Sequence, residues 1–387
     1  MSKTVTVDFF YRNELFEKLQ LWMIIPTATQ FNENSLKPDQ VREIPTGEKL
    51  AFYVLNKNQS LHLNYEIELY STKNEKKTLT DEEKDFYLRN TILSPINKEI
   101  TRLANEITYQ QKNDIEKAHA IFHYIVDNYR YIYPPISRGV NSFLEVKEGD
   151  CGEFSFLFTA LCRALKIPAR TVVGSWAYGK MNAHVWNEFF LEDEGWISVD
   201  TSMAYLQKRR PFKYFDSSLI TLHWKNYFGE TEGQRVVFSK DAEIELLPKY
   251  KNDEEAFTLN PMLINGEPFC WGQQSLNGRA PYLQPIYVKF EQNDDLLSTL
   301  DLPHLFGTWE IKEHGIKPFL DDLKKFSLII ALLTMALSFI FQNFYLEVTY
   351  KSMFIIFSLC FILRRERIII FSIFLLLMSL SLLSTLD

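Results

Sequence analysis

Cys151 stands in the run Gly149-Asp150-Cys151-Gly152-Glu153-Phe154; His184 follows 33 residues later and Asp200 a further 16. Cysteine, histidine and carboxylate in this order are the parts of an activated thiol nucleophile. A free thiol titrates near about pH 8.5 and is mostly protonated at neutral pH, so it needs assistance. Asp150 and Glu153 are spaced as an acidic capping box, which makes Cys151 the first residue of a helix. Unpaired N–H groups and the helix dipole favour negative charge there. His184 is the expected proton acceptor, and Asp200 the group that holds its ring and stabilises its charged form. The backbone N–H of Cys151 is the expected first donor to an oxyanion. Asn141 and the tyrosines Tyr129, Tyr131 and Tyr133 are candidates for the second.

These three residues need a helix and two strands to hold them. Phe154, Phe158, Leu161, Cys162 and Leu165 form an apolar stripe after Cys151, ended by Pro168. Strand-like segments follow at Thr171–Trp176, His184–Leu191 and Trp196–Asp200, the last two joined by a turn at Glu192-Asp193-Glu194-Gly195. A hairpin placing residue 186 opposite 200 sets His184 diagonal to Asp200 on one face, within side-chain reach. A one-residue slip would separate them. Upstream, Ser94 with Pro95 reads as a helix start whose inner face is Ile96, Ile100, Leu103, Ala104 and Ile107. A second helix from Asp114 turns Ile115, Ala118, Phe122, Ile125, Val126 and Tyr129 inward.

Glu148-Gly-Asp-Cys-Gly-Glu-Phe-Ser, Leu161-Cys-Arg-Ala-Leu-Lys-Ile-Pro-Ala-Arg-Thr-Val-Val-Gly174, His184-Val-Trp-Asn-Glu and Gly195-Trp-Ile-Ser-Val-Asp200 together resemble the transglutaminase-like core. That superfamily includes transglutaminases, papain-like microbial peptidases and peptide N-glycanases. The likeness runs from about residue 90 to about residue 248 and includes Asn226-Tyr-Phe-Gly-Glu. It implies an α+β, papain-like fold with Cys151, His184 and Asp200 as the catalytic triad. The family usually carries proline after its aspartate; here Thr201 follows Asp200.

Around this core, residues 1–75 read as a β-sandwich-like domain. Leu61, Leu63, Tyr65, Ile67 and Leu69 alternate with polar residues, Val5, Val7 and Phe9 repeat the pattern, and Leu21 to Ile25 adds a strand. The polar run from Ser71 to Asp85 reads as a linker, residues 86–250 as the catalytic core, and 251–320 as a β-rich extension and linker; β signals near Arg235–Leu247 and Ile286–Phe290 carry the soluble region to about residue 300. Residues 326–387 change character. Phe326–Phe341, Met353–Leu363 and Ile368–Leu383 are apolar, with Arg364-Arg365-Glu366-Arg367 between the last two. A bilayer core of about 30 Å takes roughly 17–25 helical residues. The middle run reaches that length only if extended back past Lys351, whose charge would snorkel. Three spans are expected, with two as the alternative. Three spans put Lys324-Lys325 and the arginine cluster on one side, and the positive-inside rule then puts the preceding domains in the cytoplasm. The N-terminus has no apolar run of signal-peptide type.

The 387 residues carry a net charge of −7 with no recurring basic stripe, which argues against a nucleic-acid partner. Four irregularly spaced cysteines suggest neither a zinc ribbon nor a disulfide framework. Cys162 reads as core, Cys270 and Cys360 as inert. His119 and His123 share a helix face, but Ala120 stands where a zinc protease needs glutamate, so no metal or cofactor is expected. The expected protein is an integral membrane cysteine enzyme, attached through its C-terminal helices, acting on a protein or peptide amide through a thioester at Cys151. Hydrolysis is favoured. Transfer to an amine (cross-linking) and a catalytically silent membrane scaffold are the alternatives.

Overall fold

The computed structural model describes residues 4–25, 36–70, 78–209, 222–252, 262–291, 296, 299–364 and 366–386. They fall into two compact units, the first reaching residue 312 and the second holding the C-terminal helices from 313.

The first unit opens with β1 (Thr4–Arg12), β2 (Lys18–Ile25), β3 (Gln40–Glu43), β4 (Lys49–Asn56) and β5 (Ser60–Glu68). Helices α1 (Asp81–Tyr87), α2 (Lys98–Ile107) and α3 (Asp114–Asn128) follow; a short parallel pair, β6 (Arg130–Tyr131) and β7 (Glu148–Gly149), flanks α4 (Val140–Val146). Then come α5 (Cys151–Ala164), β8 (Ala169–Trp176), β9 (Gly179–Lys180), β10 (Ala183–Leu191), β11 (Gly195–Val199), α6 (Thr201–Arg209) and β12 (Arg235–Ser239). The short strands β13 (Ile244–Glu245), β14 (Met262–Ile264), β15 (Glu267–Phe269) and β16 (Arg279–Ala280) precede β17 (Ile286–Phe290) and β18 (Thr308–Glu313).

Two four-stranded sheets, β5-β1-β18-β9 and β17-β2-β4-β3, face each other across Val7, Phe9, Leu21, Met23, Tyr53, Leu63, Val288 and Trp309. Period-two alternation builds this sandwich: β1 buries Val5, Val7, Phe9 and Tyr11 and turns the residues between them outward. Strands from near residues 290 and 310 therefore complete sheets begun by the first 70 residues. A third sheet, β11-β10-β8-β12, carries the site, and its strand β12 lends Val236 and Phe238 to the sandwich core.

Helix α5 is buried all round. Phe154, Phe156 and Phe158 are fully buried, each side chain contributing about 2–3 kcal/mol, so the helix that bears Cys151 is a rigid element. Asn187 of β10 ties it to the sheet, donating through Nδ2 to Ser155 O and Thr159 Oγ1, both at 2.9 Å.

Three local expectations change. Helix α2 starts at Lys98, capped by Asn97 Oδ1 accepting from Ile100 N at 2.9 Å, rather than at Ser94. Ser94 N instead donates to Thr91 Oγ1 and Ile96 N to Asn90 Oδ1, a turn that competes with the helix. Ile115, expected inside, is 37% exposed. Of the supposed linker, residues 71–77 lie outside the described residues, while Asp81–Tyr87 is helical. Thr80 and Glu83 form a reciprocal capping box, and Tyr87 packs on Trp196 at 4.7 Å.

The second unit holds Ile316–Phe341, Phe344–Leu363 and Ile368–Leu386, three helices of 26, 20 and 19 residues that are long and apolar enough to cross a membrane. The middle helix extends back past Lys351, as its length requires. Lys351 Nζ lies 2.6 Å from Glu347 Oε1 and donates to Ser381 O at 3.1 Å. At the opposite helix ends Lys324 pairs with Glu366 at 3.1 Å, and Arg364 with Glu366 at 2.6 Å.

Candidate active site

Cys151 begins α5, and Asp150 caps it. Asp150 Oδ1 accepts from Gly152 N at 2.7 Å, and Glu153 returns a bond to Asp150 N at 3.2 Å. The capping box expected from the sequence is formed. Its effect on the thiol is the reverse of the expected one. Burial pushes Cys151 well above the ordinary thiol value, and the Asp150 carboxylate adds to the rise. The backbone N–H of Val185, donating to the sulphur, and the Arg138 guanidinium oppose it. The carboxylate that caps the helix also stands beside the sulphur and adds to what burial does, so both favour the protonated thiol.

His184 lies on β10, one residue from the N–H that meets the Cys151 sulphur. The hairpin register pairs Asn187 with Val199 and Leu191 with Gly195, which puts 186 opposite 200 as expected. His184 Nε2 then lies 2.7 Å from Asp200 Oδ2, both side chains buried. Strand β8 pairs His184 with Gly174, where a Cβ would overlap Val236 O and the Trp186 ring. Only glycine lets β12 and Trp186 close in behind the histidine.

Asp200 follows β11 and divides its two oxygens. Oδ1 accepts from Ser202 Oγ and Met203 N, each at 2.8 Å, which caps α6. Oδ2 faces His184 and, at 2.8 Å, Arg235 Nη1. Burial works against its charge, but Arg235 and His184 together hold the carboxyl well below the usual range, so Asp200 is an anion throughout the neutral region.

Arg235 was not singled out by the sequence. It is fully buried at the start of β12, and Glu232 grips it twice, at 2.6 and 2.9 Å. Its guanidinium lies 4.9 Å from the Trp176 ring and 5.0 Å from that of Trp186. Trp176 stacks on His184 at 4.5 Å with 16° between planes. The imidazole is therefore held by a carboxylate at Nε2 and an indole on one face, with Nδ1 the ring nitrogen that does not face Asp200. No local pattern announces Arg235 or Trp176, because β12 meets β8 across nearly sixty residues of chain. Arg138 was also missed. Its Nη1 lies 2.8 Å from Asp150 Oδ1 and 3.2 Å from Glu153 Oε2, beside the helix start.

Burial pushes Glu153 up to about 8, with Arg138 opposing and Asp150 adding to the rise. Its folded-state pKa thus lies above the ordinary carboxyl value of 4.5. Between these values the unfolded chain has released the proton and the folded chain has kept it, so stability falls as pH rises through this window. Glu153→Gln is expected to flatten that fall, read as apparent Tm against pH; an unchanged slope would contradict the assignment.

The other sequence candidates lie elsewhere. Asn141 is exposed, Tyr133 is 75% exposed, Tyr129 takes a bond from Lys147 at 3.3 Å, and Tyr131 packs on Phe154. His119 and His123 touch at 4.5 Å inside an aromatic cluster with Trp224 and Phe228.

A family model for the transglutaminase-like superfamily matches residues 101–201. A peptide-N(4)-(N-acetyl-beta-glucosaminyl)asparagine amidase of Drosophila melanogaster is 30% identical over 129 residues, 33% of this chain and 16% of that protein. An uncharacterized protein of Haemophilus influenzae is 25% identical over 178 residues, 39% of this chain and 48% of that one. The chain thus spans less than half the length of either curated relative. Among solved structures, a provisionally assigned cysteine protease from Cytophaga hutchinsonii has a TM-score of 0.38 at 17% identity, covering 52% of this chain and 77% of that one. A provisionally assigned protease from Parabacteroides distasonis has a TM-score of 0.25 at 14% identity, covering 50% and 42%. Residues 101–201, a stretch that ends just after Asp200, are thus similar to the transglutaminase-like superfamily.

Proposed function

We propose that this chain is a membrane-anchored cysteine enzyme that cleaves an amide bond, with Cys151 as nucleophile, His184 as general base and Asp200 as the group that orients and charges the base. The observation that carries the reading is the buried His184–Asp200 pair at 2.7 Å, on the strand whose Val185 N–H meets the Cys151 sulphur. Because the resting thiol is neutral, His184 Nδ1 removes its proton as sulphur attacks the carbonyl carbon. The carbonyl π pair moves onto oxygen, and the Cys151 N–H receives the resulting charge. As the tetrahedral centre collapses, the C–N bond breaks and the leaving amine takes the proton from His184, which leaves a thioester. Water, activated by the same imidazole, then releases the acid and restores the thiol. The name of the Drosophila relative, an amidase acting at asparagine, supports an amide carbonyl as the point of attack.

The anchor is the three C-terminal helices. Three crossings put Lys324-Lys325 and the Arg364-Arg365-Glu366-Arg367 cluster of the sequence on one side of the bilayer, and by the positive-inside rule the residues preceding the helices lie in the cytoplasm.

The test uses the full chain in detergent micelles with glutamine- and asparagine-containing peptides. Ammonia release that is lost in Cys151→Ala is the expected result. Release without incorporation of an added primary amine marks hydrolysis, whereas incorporation marks transfer. Release that survives Cys151→Ala, or an absence of acyl transfer to any acceptor, would overturn the reading.

A further inference from the structure

Of the N–H groups at the start of α5, those of Gly152 and Glu153 are taken by the Asp150 side chain and that of Phe154 by the Asp150 carbonyl, at 3.2 Å. The Cys151 N–H is left, and a lone donor is a weak hole for a tetrahedral oxyanion. A second polar hydrogen reaches the same place from far along the chain. Tyr282, between β16 and β17, is 6% exposed, and its hydroxyl is buried without a hydrogen-bond partner among the described residues. Burying a hydroxyl unpaired costs about 1–3 kcal/mol, so such an atom calls for a function or a ligand.

The hydroxyl is aimed at the helix start. A Cβ at Gly152 would overlap it, and the same Cβ would stand 3.0 Å from Arg138 Nη1. Glycine after the nucleophile is what admits the phenol. The ring is wedged by Phe156 at 5.6 Å and Trp271 at 6.3 Å, both nearly parallel to it, and Arg138 lies 5.8 Å from its centre. The hydroxyl is thus fixed in position while its hydrogen is unspent.

We propose that Tyr282 is the second oxyanion donor of the Cys151 site, its O–H and the Cys151 N–H together binding the oxygen of an attacked carbonyl. This assignment rests on the reading of Cys151 as an acyl-accepting nucleophile. Its chemistry is a hydrogen bond only: the Cys151 proton goes to His184, the carbonyl π pair becomes the oxyanion lone pair, and Tyr282 keeps its proton. Burial holds the phenol well above its ordinary range; Arg138 opposes, while Glu153, Asp150 and Cys151 add to the rise. The group therefore remains a donor across the neutral range. A further consequence is that the β-rich segment after the core completes the site.

Two reactions of the same sulphur test this in the full chain in micelles. p-Nitrophenyl acetate acylates Cys151 through a tetrahedral oxyanion; iodoacetamide alkylates it by displacement at a saturated carbon, with no oxyanion. Both are read at the Cys151 peptide by mass spectrometry. Tyr282→Phe keeps the ring and its stacking, and is expected to slow acylation about 10²-fold while leaving alkylation unchanged. Gly152→Ala, which displaces the hydroxyl, is expected to give the same selective loss. Acylation that is indifferent to Tyr282→Phe overturns this assignment alone. So does an equal loss in both reactions, which would make Tyr282 a packing group, or a gain in both, which would make it a cover over the thiol. Absence of acylation at Cys151 in the unaltered chain overturns the nucleophile reading and this assignment with it.

Discussion

Replacing Asp200 with asparagine is expected to slow acylation of Cys151 by about 10³-fold with little change in the fold. The reason is a count of donors. Four groups that carry N–H or O–H hydrogens surround the carboxylate: Ser202 Oγ and Met203 N donate to Oδ1, His184 Nε2 meets Oδ2 at 2.7 Å, and the Arg235 Nη1 cation stands 2.8 Å from Oδ2 as an ion-pair partner. An asparagine must turn its NH2 toward one of these pairs. Turned toward His184, it makes Nε2 an acceptor and moves the ring proton to Nδ1, where the imidazole cannot take a proton from the thiol. Turned the other way, it faces the Met203 N–H and undoes the cap of α6, while the neutral carbonyl left beside His184 stabilises the imidazolium far less than an anion does. The check is the rate of ester acylation at Cys151; a rate within tenfold of the unaltered chain would remove Asp200 from the mechanism.

The second large effect is on stability. Arg235→Leu removes the cation between Asp200 and Glu232, leaving the buried Glu232 without its counter-ion and Asp200 with His184 and the cap donors alone, which costs about 3–5 kcal/mol. For a unit of this size the apparent Tm falls on the order of 10 °C. All seven tryptophans precede residue 313, so their fluorescence reports on the first unit and not on the C-terminal helices. Trp176 and Trp186 flank the lost guanidinium directly. Arg235→Lys keeps the charge but not the two-point grip on Glu232 and is expected to recover only part of the loss. An unchanged Tm in Arg235→Leu would mean that the pair is solvated and that Asp200 is not under Arg235's control.

Cys151, His184 and Asp200 were legible because each carries a local signature: a capping box, a strand, and a hairpin turn that sets the register between them. The strands β1 and β5 were legible by alternation, β2 and β17 as short apolar segments, and Asp114 by its place at the start of an amphipathic helix. What stayed hidden depends on contacts distant in sequence. Arg235 acquires its role through β12 pairing with β8, and Tyr282 through a wedge between Phe156 and Trp271. The union of β17 and β18 with the first strands is of the same kind, since alternation tells which face of a strand is buried but not which strand it meets. Helix α1 is different. Thr80 and Glu83 were a readable capping box, overshadowed by the charge of the surrounding run. Ser94 read as the start of α2, but its N–H is taken by Thr91 and Asn97 caps the helix instead. The raised Cys151 thiol comes first from burial, which is not legible in the sequence, and then from Asp150, a residue already named, which caps the helix and stands beside the sulphur at once.

The central claim is that the Cys151 sulphur accepts an acyl group with His184 as its base. Its most direct measurement is the time course of acyl adduct on the Cys151 peptide after mixing the full chain with p-nitrophenyl acetate at neutral pH. The account predicts an adduct that forms and then decays by hydrolysis in the unaltered chain, is absent in Cys151→Ala, and forms far more slowly in His184→Ala. Formation at the same rate in His184→Ala, or acylation confined to Cys162, Cys270 or Cys360, would contradict it.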